Sequence, residues 1–175
     1  CSIKDNQEVG YLPIEQKEYP TYPAVAYFFK SMEWLKLDAY LCPAGVKTIG
    51  WGDTNVKKNK ITLKEADTYF VKRIDEDFRK IKQLFPKMPK HRQYVMLNCK
   101  YNYTTKSFKQ LCKYAESGAL PYMLPKYVCG AGNELKGLKV RVSHMINLWD
   151  DPMYLDDNID EFRSVVIKII KKENI

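Results

Sequence analysis

Apolar residues recur at helical spacing from residue 24 to residue 37, at Val25, Phe28, Phe29, Met32 and Leu35. The pattern predicts a helix behind Pro20 and Pro23, with Glu33 at its end. The period then changes. Residues 39–52 carry Tyr40, Val46, Ile49 and Trp51 among Pro43, Gly45, Gly50 and Gly52, which predicts short strands joined by tight turns. "ITLKEAD" opens a longer helix, because Thr62 and Glu65 have the spacing of a capping box. That helix places Ala66, Phe70, Ile74, Phe78 and Ile81 on one face and runs to about Leu84, where "FPKMP" stops it. Shorter helices are expected at 90–102, 107–116, 121–128, 136–149 and 158–172. The last has Ile159, Phe162, Val166 and Ile169 on one face, with lysines at its end to suit the helix dipole. The fold class is therefore α+β, mostly α, with one small sheet near the N-terminus.

A chain of 175 residues can build one domain with a real core, or two small lobes that share one. Hydrophobic residues at 45% and charged residues at 29% give an ordinary globular balance. The net charge of +8 draws the chain toward anionic polymers: nucleic acid, acidic membrane surfaces or bacterial cell wall. No zinc spacing, aromatic RNA-binding signature or Gly-rich phosphate loop selects nucleic acid among them. No partner of that class is expected, nor a metal or cofactor. No run approaches the ~20 apolar residues of a membrane span. The 13 tyrosines suit either an aromatic-lined groove or a Tyr-rich core.

One short stretch carries more information. Glu33 is followed by eight residues and Cys42, then by five residues and Thr48, which opens "TIGWGD". This resembles the phage-type lysozymes of glycoside hydrolase family 24. Their pattern is Glu, eight residues, Asp or Cys, five residues, Thr, ending in a Thr-Ile-Gly-aromatic-Gly segment. "ITLKEADTYFVKRIDEDF" is similar to the start of that family's long helix, and "QYVMLNCKYNYTTKSF" to its second-lobe helix, with Asn102 at a frequent Asn. "GLKVRVSHMINLW" is similar to its late segment through Gly137, Leu138 and Arg141. The likeness covers about residues 24–150.

The resemblance implies two lobes around a glycan cleft: a small lobe with the hairpin (24–61), a connecting helix (62–85) and a helical lobe (86–175). The implied reaction is hydrolysis of the β-1,4 bond between N-acetylmuramic acid and N-acetylglucosamine in peptidoglycan. The alternative is a catalytically weak or silent module that binds peptidoglycan with the same fold. Glycoside hydrolysis needs a proton for the leaving oxygen and a group on the opposite face, and in inverting enzymes that group is a carboxylate ~6.5–9.5 Å from the acid. Glu33 is implied as the general acid. Cys42 stands where the carboxylate would be, and three roles stay open for it: base, nucleophile or pocket lining. Thr48 would orient water, and Arg141 would hold a charge partner near Glu33. Tyr40 and Trp51 are candidates to stack on sugar rings, and Asn102 is a candidate substrate contact.

The chain departs from the family at Asp53, where many relatives carry His, and at Val142 and Met145, which replace an Arg and a Glu. Asp53 ends the hairpin and is a candidate substrate contact, whereas Asp38 reads as solvated. His91 and His144 read as structural or surface residues, and Trp34 and Trp149 as core. The start at Cys1 resembles a mature bacterial lipoprotein, with residues 1–23 as a polar tether; the other reading is an arbitrary start point. The remaining four cysteines allow two disulfides or none, and Cys99 and Cys112 fall in expected helices, where free Cys behaves as a small hydrophobe. The expected setting is a monomer in the cell envelope, periplasmic or lipid-anchored, or a secreted one.

Overall fold

The computed structural model describes residues 18–42, 44–130, 133–134 and 136–173. Cys1 and the tether up to residue 17 lie outside the described residues, as does Pro43.

Helix α1 is Tyr22–Ser31, shorter than its apolar pattern predicts. Met32, at φ −95° and ψ 0°, leaves the helix, and Leu35 and Leu37 belong to the strand side of the turn. Glu33 therefore stands in the turn after α1. Strands β1 (Lys36–Leu41) and β2 (Lys47–Gly50) pair antiparallel, with Tyr40 opposite Thr48 and Leu41 opposite Lys47. Helix α2 (Leu63–Leu84) follows, and both halves of the Thr62–Glu65 capping box are present. Thr62→Ala is expected to cost ~1 kcal/mol, read as a lower melting temperature with unchanged activity.

Helices α3 (Lys90–Asn102), α4 (Thr105–Ser117), α5 (Leu120–Met123), α6 (Lys136–Asp150), α7 (Tyr154–Asp157) and α8 (Ile159–Lys172) complete the helical part. The helix expected at 121–128 is broken. α5 passes into a 3-10 turn at Leu124–Lys126, because Pro125 offers no amide to continue the ladder. A short antiparallel pair, β3 (Cys129–Gly130) and β4 (Asn133–Glu134), comes next and has no counterpart in the expected elements.

Phe70, Ile74 and Ile81 of α2 are buried in one core with Leu97 of α3 and Leu148 of α6. α8 packs across α1 through Phe162 and Phe28, whose rings lie 5.3 Å apart. The ends of this pair are tied down by hydrogen bonds. Thr21 donates from its amide to Asp156 Oδ2 at 3.0 Å, and the Leu37 amide donates to Glu173 Oε1 at 3.0 Å. Trp149 is core, but Trp34 is not: it is 64% exposed, with the Lys172 ammonium 5.6 Å from its ring. The early end of α1 leaves Trp34 in the turn, where no helix face can carry it inward.

Candidate active site

The turn after α1 aims Glu33 inward, and its side chain is only 17% exposed. Arg141 of α6 reaches it across the fold. One guanidinium nitrogen donates to Glu33 Oε2 at 3.0 Å and to the Met32 carbonyl at 2.7 Å. On the other side, Glu33 lies against the backbone of Gly52, where a Cβ would sit 2.6 Å from Oε1. Burial raises the proton affinity of the carboxyl, and the positive charges of Arg141 and then Arg73 partly offset it, leaving a pKa of about 7. Glu33 is thus a carboxyl that can hold a proton near neutral pH.

Cys42 follows β1 and is half-buried. Its amide donates to the Val46 carbonyl at 2.9 Å, which closes the hairpin turn. Main-chain hydrogen bonds from Val46, and then Ala44, hold the thiol below its ordinary pKa, and the Thr48 hydroxyl adds to the effect. Thr48 is buried and donates its hydroxyl to the Val46 carbonyl at 3.0 Å. Tyr40 lies within electrostatic range of both Glu33 and Cys42. Burial, and then those two negative charges, raise its pKa, so it stays a neutral phenol. The hairpin therefore brings Glu33, Tyr40, Cys42 and Thr48 to one region.

The other expected residues are placed differently. Trp51 is fully buried, and its indole Nε1 donates to Asp67 Oδ1 at 2.8 Å. It presents no face to a sugar ring, and this corrects the expectation of stacking. β2 ends at Gly50, and the turn that follows folds Trp51 into the core, under the ammonium of Lys30. Asn102 donates to the Asn98 carbonyl and to Asn98 Oδ1, both at 2.8 Å, within its own helix. Asp53 is 5% exposed, and reciprocal main-chain bonds of 2.9 Å pair it with Ile49. His144 is structural, its Nδ1 2.7 Å from the Tyr154 hydroxyl.

Two residues absent from the motif stand at the centre. Arg73 of α2 donates to the Gly52 carbonyl at 3.0 Å and lies 3.7 Å from Asp53 Oδ1. Tyr101 of α3 donates to the Trp51 carbonyl at 2.5 Å. On an isolated sequence Arg73 reads as one more cation on the polar side of α2, and Tyr101 as one more apolar position of α3. A groove of about 750 Å³ opens beside them, lined by Asp53, Thr54, Tyr69, Arg73 and Lys100. Among the described residues, no group of three or more His, Cys, Asp or Glu side chains could hold a metal ion.

The phage lysozyme family model matches residues 30–144. The structure is similar to the active form of the P1 phage endolysin Lyz, with 26% identity over 74% of this chain and 84% of that one, at a TM-score of 0.59. The endolysin from the Escherichia coli O157:H7 phage FAHEc1 shares the fold at 19% identity, covering 81% of this chain and 96% of that one, with a TM-score of 0.60. The muramidase domain of SpmX from Asticaccaulis excentricus does so at 18% identity, covering 78% and 100%, with a TM-score of 0.63. No curated protein sequence matches.

Proposed function

Because this chain belongs to the phage lysozyme family, we propose that it is a peptidoglycan hydrolase cleaving the β-1,4 bond after N-acetylmuramic acid, with Glu33 as general acid. The observation that carries this reading is the Glu33 carboxyl itself, buried against Gly52, paired with Arg141, and titrating at about 7. A general acid works best when its pKa lies near the working pH. Protonated Glu33 gives its proton to the glycosidic oxygen as the bond from that oxygen to the anomeric carbon breaks. Arg141 then pairs with the carboxylate left behind, so the proton leaves without stranding a buried charge.

Thr48 and Cys42 hold the water on the opposite face. The water oxygen bonds to the anomeric carbon, and its proton passes to the Cys42 thiolate. Main-chain hydrogen bonds from Val46 and Ala44 favour the thiolate over the thiol and fix its place in the hairpin turn. This order of events inverts the anomeric configuration. Tyr40, a neutral phenol within electrostatic range of both groups, serves as a hydrogen-bonding wall for the sugar. The substrate places the enzyme's action outside the cytoplasmic membrane. No helix among the described residues is long and apolar enough to cross a membrane.

Digestion of purified peptidoglycan sacculi, with soluble products identified by mass spectrometry, tests the reading. The parent chain should release disaccharide-peptides with reducing muramic acid ends, and Glu33→Gln should not. Sacculi that bind the parent chain but release nothing would replace the enzyme with a silent glycan-binding module. Cys42→Ala is expected to lower kcat by roughly 100- to 10,000-fold, as loss of a general base does, with KM little changed. A Cys42→Ala rate equal to the parent's would reduce the thiol to pocket lining.

A further inference from the structure

Asp53 and Arg73 form a charged couple directly behind Gly52. Asp53 is almost fully buried, and its Oδ2 has no hydrogen-bond partner. Its other oxygen lies 3.7 Å from Arg73. Arg73 is held on every side. Its guanidinium carbon lies over the Tyr101 ring, 3.8 Å from the centroid, and it donates to the carbonyls of Gly52 at 3.0 Å and of Tyr101 at 3.3 Å. Its Nε lies 3.9 Å from Asp77 Oδ2, and Asp77 in turn lies 3.9 Å from Lys100. A buried carboxylate without full hydrogen bonding costs the fold free energy. A surface ion pair would need none of this apparatus.

The couple's neighbours explain its place. Gly52 is the residue against which Glu33 rests, and Arg73 holds its carbonyl. We infer that Arg73 and Asp53 are positioning residues: they fix the Gly52 backbone against the Glu33 carboxyl and balance the charge around it from behind the site. The inference rests on the reading of Glu33 as general acid. The titratable or charged groups around Glu33 are Arg141 on α6, Arg73 on α2, Tyr101 on α3, Tyr40 on β1 and Asp53 after β2. Of these, Arg141 and Arg73 carry guanidinium groups, and Asp53 carries a carboxyl whose pKa burial raises and Arg73 partly lowers again. Arg141 touches the carboxylate and pairs with it. The couple lies farther back and acts with two opposite signs: Arg73 favours the ionised acid and Asp53 the protonated one.

Opposite signs make the inference testable. In a pH profile of kcat/KM on sacculi, the alkaline limb reports deprotonation of the general acid. With a pKa of about 7, the parent has roughly a tenth of its acid protonated at pH 8. Arg73→Leu should move the limb to higher pH and keep a larger fraction of its maximal rate at pH 8. The direction survives if Asp53, left unpaired, takes up a proton, because the effect of Arg73 on Glu33 exceeds that of Asp53. Asp53→Asn should move the limb to lower pH and keep a smaller fraction. Arg73→Lys should return the limb toward the parent's position.

A merely structural couple would lower the rate equally at every pH, and limbs that stay at the parent's pH in both variants would overturn the inference. If Arg73→Leu does not fold, Asp53→Asn and Arg73→Lys still decide it. A carbon-13 titration of the Glu33 carboxyl, assigned by the signal lost in Glu33→Gln, reads the same shifts without turnover. If Glu33→Gln keeps its activity, the reading of Glu33 as acid falls. If it loses activity while the titration is unmoved in both couple variants, the inference alone falls.

Discussion

Glu33→Gln is expected to lose roughly 100- to 10,000-fold in kcat while becoming more stable than the parent at pH 8. The two effects have one cause. Burial raises the Glu33 pKa from 4.5 to about 7. Between those values the folded chain holds a proton that the unfolded chain gives up, so stability falls as pH rises through this window. Above about pH 7 the fold carries the whole cost of a buried carboxylate. The gap between 4.5 and about 7 corresponds to ~3 kcal/mol. Glutamine keeps the shape and an acceptor for Arg141 but no charge, and the lost ion pair is already counted in the pKa of about 7, so the expected gain is at most ~3 kcal/mol. For a chain of this size that raises the melting temperature by roughly 2–4 °C per kcal/mol. The difference between variant and parent should vanish below about pH 4.5, where both states of the parent are protonated. Thermal melts at pH 4, 6 and 8, set beside a sacculus-digestion assay, check both halves. A variant less stable than the parent at pH 8 would show that the Arg141 pair outweighs the desolvation.

Local signals in the sequence are strong where one residue's chemistry decides the outcome. Thr62 and Glu65 announce the start of α2, and the apolar face of α2 follows from its period. Glu33, Cys42 and Thr48 are near one another in the sequence, and the structure sets them in one turn and one hairpin. The failures are tertiary. Trp51 reads as a stacking platform because hairpin aromatics often face a cleft, yet the packing of β2 against α2 carries it into the core. Trp34 reads as core because it continues an apolar run, but α1 stops three residues earlier. Arg73 and Asp53 meet across twenty positions of chain, and their meeting depends on the rotation of α2. Asp53 stands out in the sequence only as a departure from a family pattern. Its partner carries no signal, because a cation on the polar side of a helix is the commonest thing to find there.

Gly52→Ala is the second large effect, and it separates backbone strain from damage to the site. Gly52 has φ +84°, a conformation that costs an L-residue ~1–2 kcal/mol. Gly118, which ends α4 at φ +80°, would impose the same strain on an L-residue, but a Cβ there meets nothing within 4 Å. Both Gly→Ala variants should therefore lose ~1–2 kcal/mol of stability. Only Gly52→Ala should lose activity. Its Cβ would sit 2.6 Å from Glu33 Oε1, and a side-chain end can swing away at little cost to the fold. The swing takes the carboxyl from its place beside Arg141, and a displacement of ~1 Å at a reacting group can cost ~100-fold in rate. The expected result is two variants matched in denaturant midpoint and about 100-fold apart in kcat. Combining Gly52→Ala with Glu33→Gln should add little further loss of activity, because both changes act through one carboxyl. Full additivity of the two would place the harm of Gly52→Ala somewhere other than Glu33. Equal activity in the two glycine variants would mean that the Glu33 carboxyl tolerates displacement, which a positioned general acid does not.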